Sequence, residues 1–473
     1  MIALLIIVYM LMTAAVSAVI ISENRNPLKA TSWILVVSFV PVLGLIVYIF
    51  FGQDQRRRRI VSRRIYKRIM LKPHYLSIPE AQLEAMNNIQ LNPIMKLINN
   101  NSDSPVMLSS PPDIFTAGKD MFDCFFRDIE AARHHVHIQF YVIEDDHLGS
   151  RLSDLLISKV QEGVKVRVIF DHVGSWATGR GYWKRLRRAG VEAYPFMPVF
   201  FPILSSRVNY RNHRKVAVID GNIGYLGGMN VADRYYSGNR LGLWRDTHFR
   251  MMGNVVAGLQ SSFLLDWYVV SRRVINLSGY YPDLPIPVSD EGVKIQLVRS
   301  GPVGQWRTIE QATIYCIERA CEHVYIETPY FLPTEGLNNA LITAALAGID
   351  VHLLVPKRSD ARLPQVAAFS YVEDLLQAGV HVHLYTNGFL HSKLIMVDSQ
   401  VASIGSTNMD FRSLENNFEF NGIIYDEPTV RRLEAIFFED LLQSEPLDLK
   451  RWRKRSRIKK FSESFVRLFS PLL

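Results

Sequence analysis

The sequence predicts an α/β protein in which two duplicated lobes share one active site, preceded by an N-terminal transmembrane helical hairpin. Three observations predict it. The segment "HRKVAVID" at 213–220 returns as "HSKLIMVD" at 391–398, each reading His, one residue, Lys, four residues, Asp. The segments ahead of each copy repeat in the same order. Two charge-free stretches, Met1–Ser22 and Thr31–Gly52, open the chain.

Residues 1–52 come first. Each charge-free stretch matches the ~20 apolar residues that cross a bilayer, and a short polar link carrying Glu23, Arg25, Asn26 and Pro27 joins them. No basic region precedes the first stretch, which argues against a cleaved signal peptide. Arg56–Arg59, Arg63, Arg64, Lys67 and Arg68 then begin a basic juxtamembrane linker, 53–104. The excess of Lys and Arg on cytoplasmic flanks places this linker, and the lobes after it, on the cytoplasmic side of a cell membrane.

The charge distribution supports a membrane partner. Residues 1–72 hold eleven Lys/Arg against two Asp/Glu, and residues 450–473 hold nine against one. The total is +9, so the middle of the chain is net −8. A nucleic-acid enzyme concentrates positive field around its site; basic ends on an acidic body suit an anionic lipid surface. Three cysteines, Cys124, Cys316 and Cys321, form no disulfide framework and point to a reducing compartment.

The first lobe, 105–280, and the second, 281–447, carry matching segments. "IEAARHHVHIQFYV" (129–142) answers "IERACEHVYIETPYF" (317–331), a helix end followed by a strand. "EGVKVRVIFD" (162–171) answers "AGIDVHLLVP" (347–356), and "RAGVEAYPF" (188–196) answers "QAGVHVHLY" (377–385); in each a glycine ends a helix before a β-rich run. Helix and strand alternating twice in one order is the signature of two α/β units. The Pro-rich "YYPDLPIPVSDEG" (280–292) marks the boundary. "YPFMPVFFPIL" (194–204), just before the first motif, is too rich in proline for a regular strand and reads as a loop that meets lipid. The tail, 448–473, places Trp452, Ile458, Phe461, Phe465, Leu468 and Phe469 among basic residues, as an interfacial amphipathic helix does.

The repeated motif carries the chemistry. In an extended strand His213 and Lys215 point to one face. Gly221-Asn222 suits a two-residue hairpin turn. Pairing about that turn sets Asn230 opposite His213 and Gly228 opposite Lys215. The second copy keeps the spacing, with Asn408 opposite His391 and Ser406 opposite Lys393. Lysine and a carboxamide donate to phosphate oxygens, and a small residue lets the backbone approach. Histidine attacks phosphorus or moves a proton near neutral pH. Two such faces brought together set one histidine to attack while the other protonates the departing oxygen. One match to the motif arises by chance in roughly a few such chains in a hundred; two with the same downstream spacing do not.

At these residues the chain resembles the phospholipase D superfamily, whose hallmark is a pair of such motifs. "NYRNHRKVAVIDGNIGYLGGMN", "WRDTH", "SGP", "TPYFLP" and "HSKLIMVDSQVASIGSTNMDFRSLENNFEF" are similar to bacterial cardiolipin synthases. The resemblance implies a membrane phosphatidyltransferase that turns two phosphatidylglycerol molecules into cardiolipin and glycerol through a phosphatidyl-histidine. It implies a catalytic set of His213, Lys215, Asp220, His391, Lys393 and Asp398, with Asn230, Asn408, Gly228 and Ser406 at the phosphate. His213 would be the nucleophile by that analogy; the residues alone do not decide between the histidines. Asp220 and Asp398 sit at the turns, where a structural role is expected. Asp246 in "WRDTH" and Glu419 in "NNFEF" would orient the imidazoles. Ser406, in place of Gly228, would touch phosphate in one half only.

No metal or other cofactor is expected at this site, since two lysines supply the cationic clamp; His134, His135, His137 and His147 lack a ligand pattern. The expected partners are phosphatidylglycerol and anionic lipids, with no nucleic acid. A phospholipase D hydrolase, or a phosphatidyltransferase such as a phosphatidylserine synthase, would use the same residues.

Overall fold

Glycines with left-handed backbone punctuate the repeat where the sequence puts them. Gly163 (φ 90°), Gly190 (φ 98°), Gly348 (φ 93°) and Gly379 (φ 99°) each follow a helix and precede a strand. The coordinates are a computed structural model. It describes residues 2–22, 27–40, 42–48, 52, 60–76, 78, 91–199, 209–273, 275, 277, 279–281 and 292–470.

Each lobe builds a sheet on three parallel strands. In the first these are His135–Phe140, Lys165–Asp171 and Glu192–Phe196. In the second they are His323–Glu327, Asp350–Pro356 and His381–Tyr385. The motif hairpin adds antiparallel to the first strand of each trio. Val216–Ile219 pairs with His135–Phe140, and Leu394–Val397 pairs with His323–Glu327. Ile223–Gly227 and Trp244–Met252 then extend the first sheet, and Val401–Gly405, Glu419–Ile424 and Val293–Ser300 the second.

The duplicated halves pack through the hairpins. Ala217 and Ile219 face the core of their own lobe, whereas Val216 and Val218 join a cluster that includes Leu394, Met396, Ile404 and Phe420 of the second. The period of two therefore serves two cores at once. Helix Val255–Ser271 lies among both sheets, touching strands of each. Backbone also crosses between lobes. Phe389–Leu390 pairs with Trp244 and Arg245 of the first sheet, Asn212 bridges Phe418, and Val106–Ser109 pairs with Val293–Ser300.

The structure revises four expectations. Among the described residues no helix is long and apolar enough to cross a membrane, so the structure does not support the transmembrane hairpin. Ile2–Ser22 packs Ile20 against Val37 of Pro27–Phe39 and against Tyr48, which follows the five-residue helix Leu43–Val47. The second stretch holds two helices, Pro27–Phe39 and Leu43–Val47, and not one.

The motif turns are also one residue longer than expected. Ile219 pairs with Ile223 and Val397 with Val401, so three residues sit in each turn and the register moves by one. Asp220 and Gly221 (φ 51° and 71°), and Asp398 and Ser399 (φ 51° and 54°), are left-handed. Aspartate tolerates that region, and here it frees the carboxylate to reach a neighbouring loop.

The proline-rich 194–204 segment divides. Tyr194 to Phe196 belong to an edge strand, where Pro195 loses no ladder bond to a further neighbour; residues 200–208, with the lipid-contact expectation for Phe200 and Phe201, lie outside the described residues, as does most of the 280–292 boundary. At the tail, Trp452 is buried, with the Arg455 guanidinium 3.7 Å from its ring centre, so it anchors the tail instead of facing lipid. Ile458, Phe461, Phe465, Leu468 and Phe469 are exposed.

Candidate active site

His213 and His391 stand just ahead of their hairpin strands, where the chain leaves its own ladder for the other lobe. The His213 amide donates to Phe418 O (2.9 Å), and the His391 amide to Arg245 O (2.7 Å). Both imidazoles line one cavity of about 270 Å³, with Tyr141, Asn230, Tyr235, Trp244, Tyr330, Asp360, Asn408, Asp410 and Arg412 on its walls. The two motifs, 178 residues apart, thus meet at one site.

The carboxylates cross over. Glu419 of the second lobe places both oxygens 3.1 Å from His213 Nδ1. Asp246 of the first lobe places Oδ2 2.6 Å from His391 Nδ1. Each imidazole is therefore steered by the half that does not contain it, and each Nε2 is left for chemistry. Both carboxylates are buried. Burial alone raises a carboxyl group, but Lys393 and His391 hold Asp246 below its ordinary value, and His213 and Lys215 do the same for Glu419.

The cations respond in the opposite direction. Burial lowers His213 and pushes His391 down to about 4, which favours neutral rings at pH 7. Burial also lowers Lys215 to about 7 and Lys393 to about 8. Lys215 Nζ donates to His213 O (2.6 Å), and Lys393 Nζ donates to His391 O and lies 2.8 Å from His391 Nδ1. Neither lysine is on the cavity wall in this structure. Both are buried, and the charges of Glu419 and Asp246 pull them back part of the way toward their ordinary value.

The remaining expected residues divide into those on the cavity and those beneath it. Asn230 lines the cavity, but its carboxamide is engaged by its own lobe, accepting from the Val142 amide (3.0 Å) and donating to Tyr235 Oη (2.8 Å). Asn408 lines it with Oδ1 buried and unpartnered among the described residues; Asn417 Oδ1 and Trp244 Nε1 share that condition. Ser406 was expected at the phosphate. Its hydroxyl donates to Glu419 and accepts from the Phe420 amide (2.9 Å), so it fixes a carboxylate instead.

Gly228 also lies against a carboxylate. A Cβ there would stand 2.0 Å from Asp246 Oδ1. Gly228→Ala should accordingly displace Asp246 from His391. We expect at least a ~100-fold loss of turnover, with destabilisation in the ~1–3 kcal/mol range of overpacked sites, checked by initial rates and thermal unfolding. Asp220 and Asp398 sit away from the cavity. Asp220 accepts from the amides of Arg133, His134 and His135, and Asp398 from those of Cys321, Glu322 and His323, all at 2.7–2.9 Å. Each aspartate ties its motif turn to the loop before the first sheet strand. His135 and His137 are buried around Gln260, well removed in role from the cavity residues.

Sequence reasoning passed over Tyr141, Tyr235, Trp244, Tyr330, Asp360, Asp410 and Arg412. A signal existed for one. Trp244 precedes Asp246 by two residues on one strand, so both share a face. Tyr141 packs its ring at 5.0 Å from that of His213, and Tyr235 at 5.5 Å from that of His391. These contacts come from tertiary packing and leave no spacing to read.

A family model described as "Cardiolipin synthase, PLD-like domain" matches residues 125–246, which hold His213 and Asp246, and 313–441, which hold His391 and Glu419. The chain is 41% identical to a cardiolipin synthase of Oceanobacillus iheyensis over 99% of both chains. It belongs to the cardiolipin synthase family. A cardiolipin synthase of Geobacillus sp. strain WCH70 is 37% identical, covering 97% of this chain and 91% of its own. A second model, "Phospholipase_D-nuclease N-terminal", matches residues 4–53. Among solved structures, the phosphatidylserine synthase of Haemophilus influenzae has a TM-score of 0.61 at 13% identity, over 81% of this chain and all of that one. That likeness establishes the fold, an α/β phospholipase D-like fold with a duplicated domain. As a member of the cardiolipin synthase family the chain is an enzyme of phospholipid synthesis.

Proposed function

We propose that the chain condenses two phosphatidylglycerol molecules into cardiolipin and glycerol at the cavity between its lobes. The observation that carries this reading is the crossed pair, one imidazole from each motif on one cavity, each held through Nδ1 by the other lobe's carboxylate. His213 Nε2 attacks phosphorus, the bond to the glycerol oxygen breaks, and His391 delivers a proton to that oxygen. The anionic phosphodiester raises the affinity of His391 for this proton. Neutral His391 then takes a proton from a hydroxyl of the second phosphatidylglycerol. That oxygen attacks phosphorus, the N–P bond breaks, and His213 is restored.

The cavity chemistry supports a polyol substrate. Asn408 Oδ1 and Asn417 Oδ1 are buried acceptors without donors among the described residues, and glycerol hydroxyls supply donors. At about 270 Å³ the cavity is of headgroup size, so acyl chains lie outside it. The roles follow: Lys215 and Lys393 rise to the phosphate oxygens in place of backbone carbonyls, and Asp220 and Asp398 hold the turns. Purified protein with labelled phosphatidylglycerol vesicles tests this. Cardiolipin with glycerol is expected; phosphatidic acid as the main product would assign a hydrolase.

The lysines set the alkaline limit. Their folded values, about 7 and 8, lie below the ordinary 10.5, so the charged clamp is present below that window and lost as pH rises through it. In the same interval the unfolded chain binds more protons, so stability rises with pH while turnover falls. Rates and unfolding midpoints between pH 6.5 and 10 should move in opposite directions.

The chain works at a membrane surface. Exposed Leu4, Ile7, Leu11, Leu28 and Phe39 on the N-terminal helices, and Phe461, Phe465 and Leu468 beside Lys459 and Lys460 on helix Arg457–Arg467, supply apolar contact with basic flanks. The basic run from Arg56 suits an anionic lipid surface. Replacing Phe461 and Phe465 with Ser should weaken binding to anionic vesicles several-fold in sedimentation, with turnover of detergent-dispersed substrate unchanged.

A further inference from the structure

A second cluster of chemistry-bearing side chains lies in the second lobe, at the opposite end of its parallel strands from the cavity. Asp350 and His352 alternate on Asp350–Pro356, and His381 and His383 alternate on the adjacent His381–Tyr385. The parallel register sets His352 beside His381 and Leu354 beside His383, so all four side chains share one face. The active-site residues Asp360 and Ala361 follow the far end of Asp350–Pro356, on the order of 20 Å away at about 3.3 Å per residue.

The geometry points to a site for a divalent transition-metal ion of the zinc class, with Asp350 Oδ1, His352 Nε2 and His381 Nε2 as its ligands. Asp350 Oδ1 lies 3.0 Å from His352 Nε2 and 3.7 Å from His381 Nε2, and the three ligand atoms fall within 4.8 Å of one another. Ligands held tetrahedrally at about 2.0–2.1 Å from zinc stand about 3.3–3.4 Å apart, a spacing that the two measured distances bracket. Small rotations of half-exposed side chains close the set.

A second observation supports ligation independently. His352 Nδ1 is 3.1 Å from His383 Nε2, with the two rings stacked 4° from parallel. A proton on Nδ1 of His352 donates to that nitrogen and leaves Nε2 with its lone pair toward Asp350 and His381. Metal-bound histidines are oriented by such a contact on the other ring nitrogen. His383 is thus a positioning residue and the other three are ligands. A fourth position opens to solvent for water, so the ion exchanges. The site stands outside the phosphate chemistry; it ties two strands of the second sheet together near their N-terminal ends.

The full chain, in detergent and free of added metal, is titrated with zinc, and with cobalt(II) as a spectroscopic probe. One equivalent per chain, a zinc-dependent rise in the unfolding temperature reversed by a chelator, and the intense visible bands of tetrahedral cobalt are expected. His381→Ala and Asp350→Asn, both at half-exposed positions, should keep the metal-free unfolding temperature and weaken zinc binding at least 100-fold. His383→Gln should weaken it ~10–100-fold with the cobalt bands retained but shifted. Absence of saturable one-to-one binding overturns the proposal, as does binding that His381→Ala and Asp350→Asn leave unchanged.

Discussion

Replacing His213 or His391 with alanine is expected to reduce cardiolipin formation by at least ~10⁴-fold in either case, equivalent to roughly 5.5 kcal/mol of transition-state stabilisation. The two losses should be comparable because each half-reaction needs both rings. One attacks or departs from phosphorus while the other gives or takes the proton. The double variant should be little worse than either single one, as groups acting as a unit are not additive. Single-turnover assays with labelled phosphatidylglycerol check this. Near-normal turnover in either single variant would show that one motif suffices, and the shared-cavity mechanism would fail with it.

The second large effect is the exchange of carboxylates between lobes. Asp246→Asn and Glu419→Gln keep the shape of each group but remove the charge facing Nδ1, and the corresponding change in a histidine-orienting aspartate elsewhere is worth about 10⁴ in rate. We expect ~10²–10⁴-fold losses here. The pairing is testable because it crosses the lobes. In double-mutant cycles Asp246→Asn should add almost nothing to His391→Ala, and Glu419→Gln almost nothing to His213→Ala. If instead each carboxylate coupled to the histidine of its own lobe, the crossed geometry would be wrong. Ser406→Ala, which removes one hydroxyl from Glu419, should show a smaller loss in the same cycle with His213.

Much of this site was legible from spacing. His-x-Lys-x₄-Asp, repeated with a downstream small residue and Asn, is legible because short local spacing sets which groups one hairpin carries. Asp246 and Glu419 were legible as carboxylates for the imidazoles. Their assignment to particular histidines was not, because the connection runs through space between lobes. The hairpin register was misread by one residue. Gly221-Asn222 satisfies a two-residue turn by composition, but the ladder follows Asp220, whose carboxylate must reach three amides of a distant loop. The contacts of Gly228 and Ser406 were not legible for the same kind of reason: each lies against a carboxylate contributed by a neighbouring strand, and local sequence holds no record of that contact.

The N-terminal stretches show the limit from the other side. Absence of charge over about 20 residues measures hydrophobicity, not helix continuity, and the second stretch holds two helices, Pro27–Phe39 and Leu43–Val47. By itself the sequence determined the duplicated α/β architecture, the repeat of histidine and lysine, and the basic ends, since each rests on periodicity, turn chemistry or charge within a short window. The tertiary structure alone decided which carboxylate serves which histidine, that both lysines are buried, and that Asp350, His352, His381 and His383 share a face. Those arrangements depend on two sheets packing through the alternate residues of their hairpins and on parallel strands falling into register, and such long-range packing is settled only when the chain closes on itself.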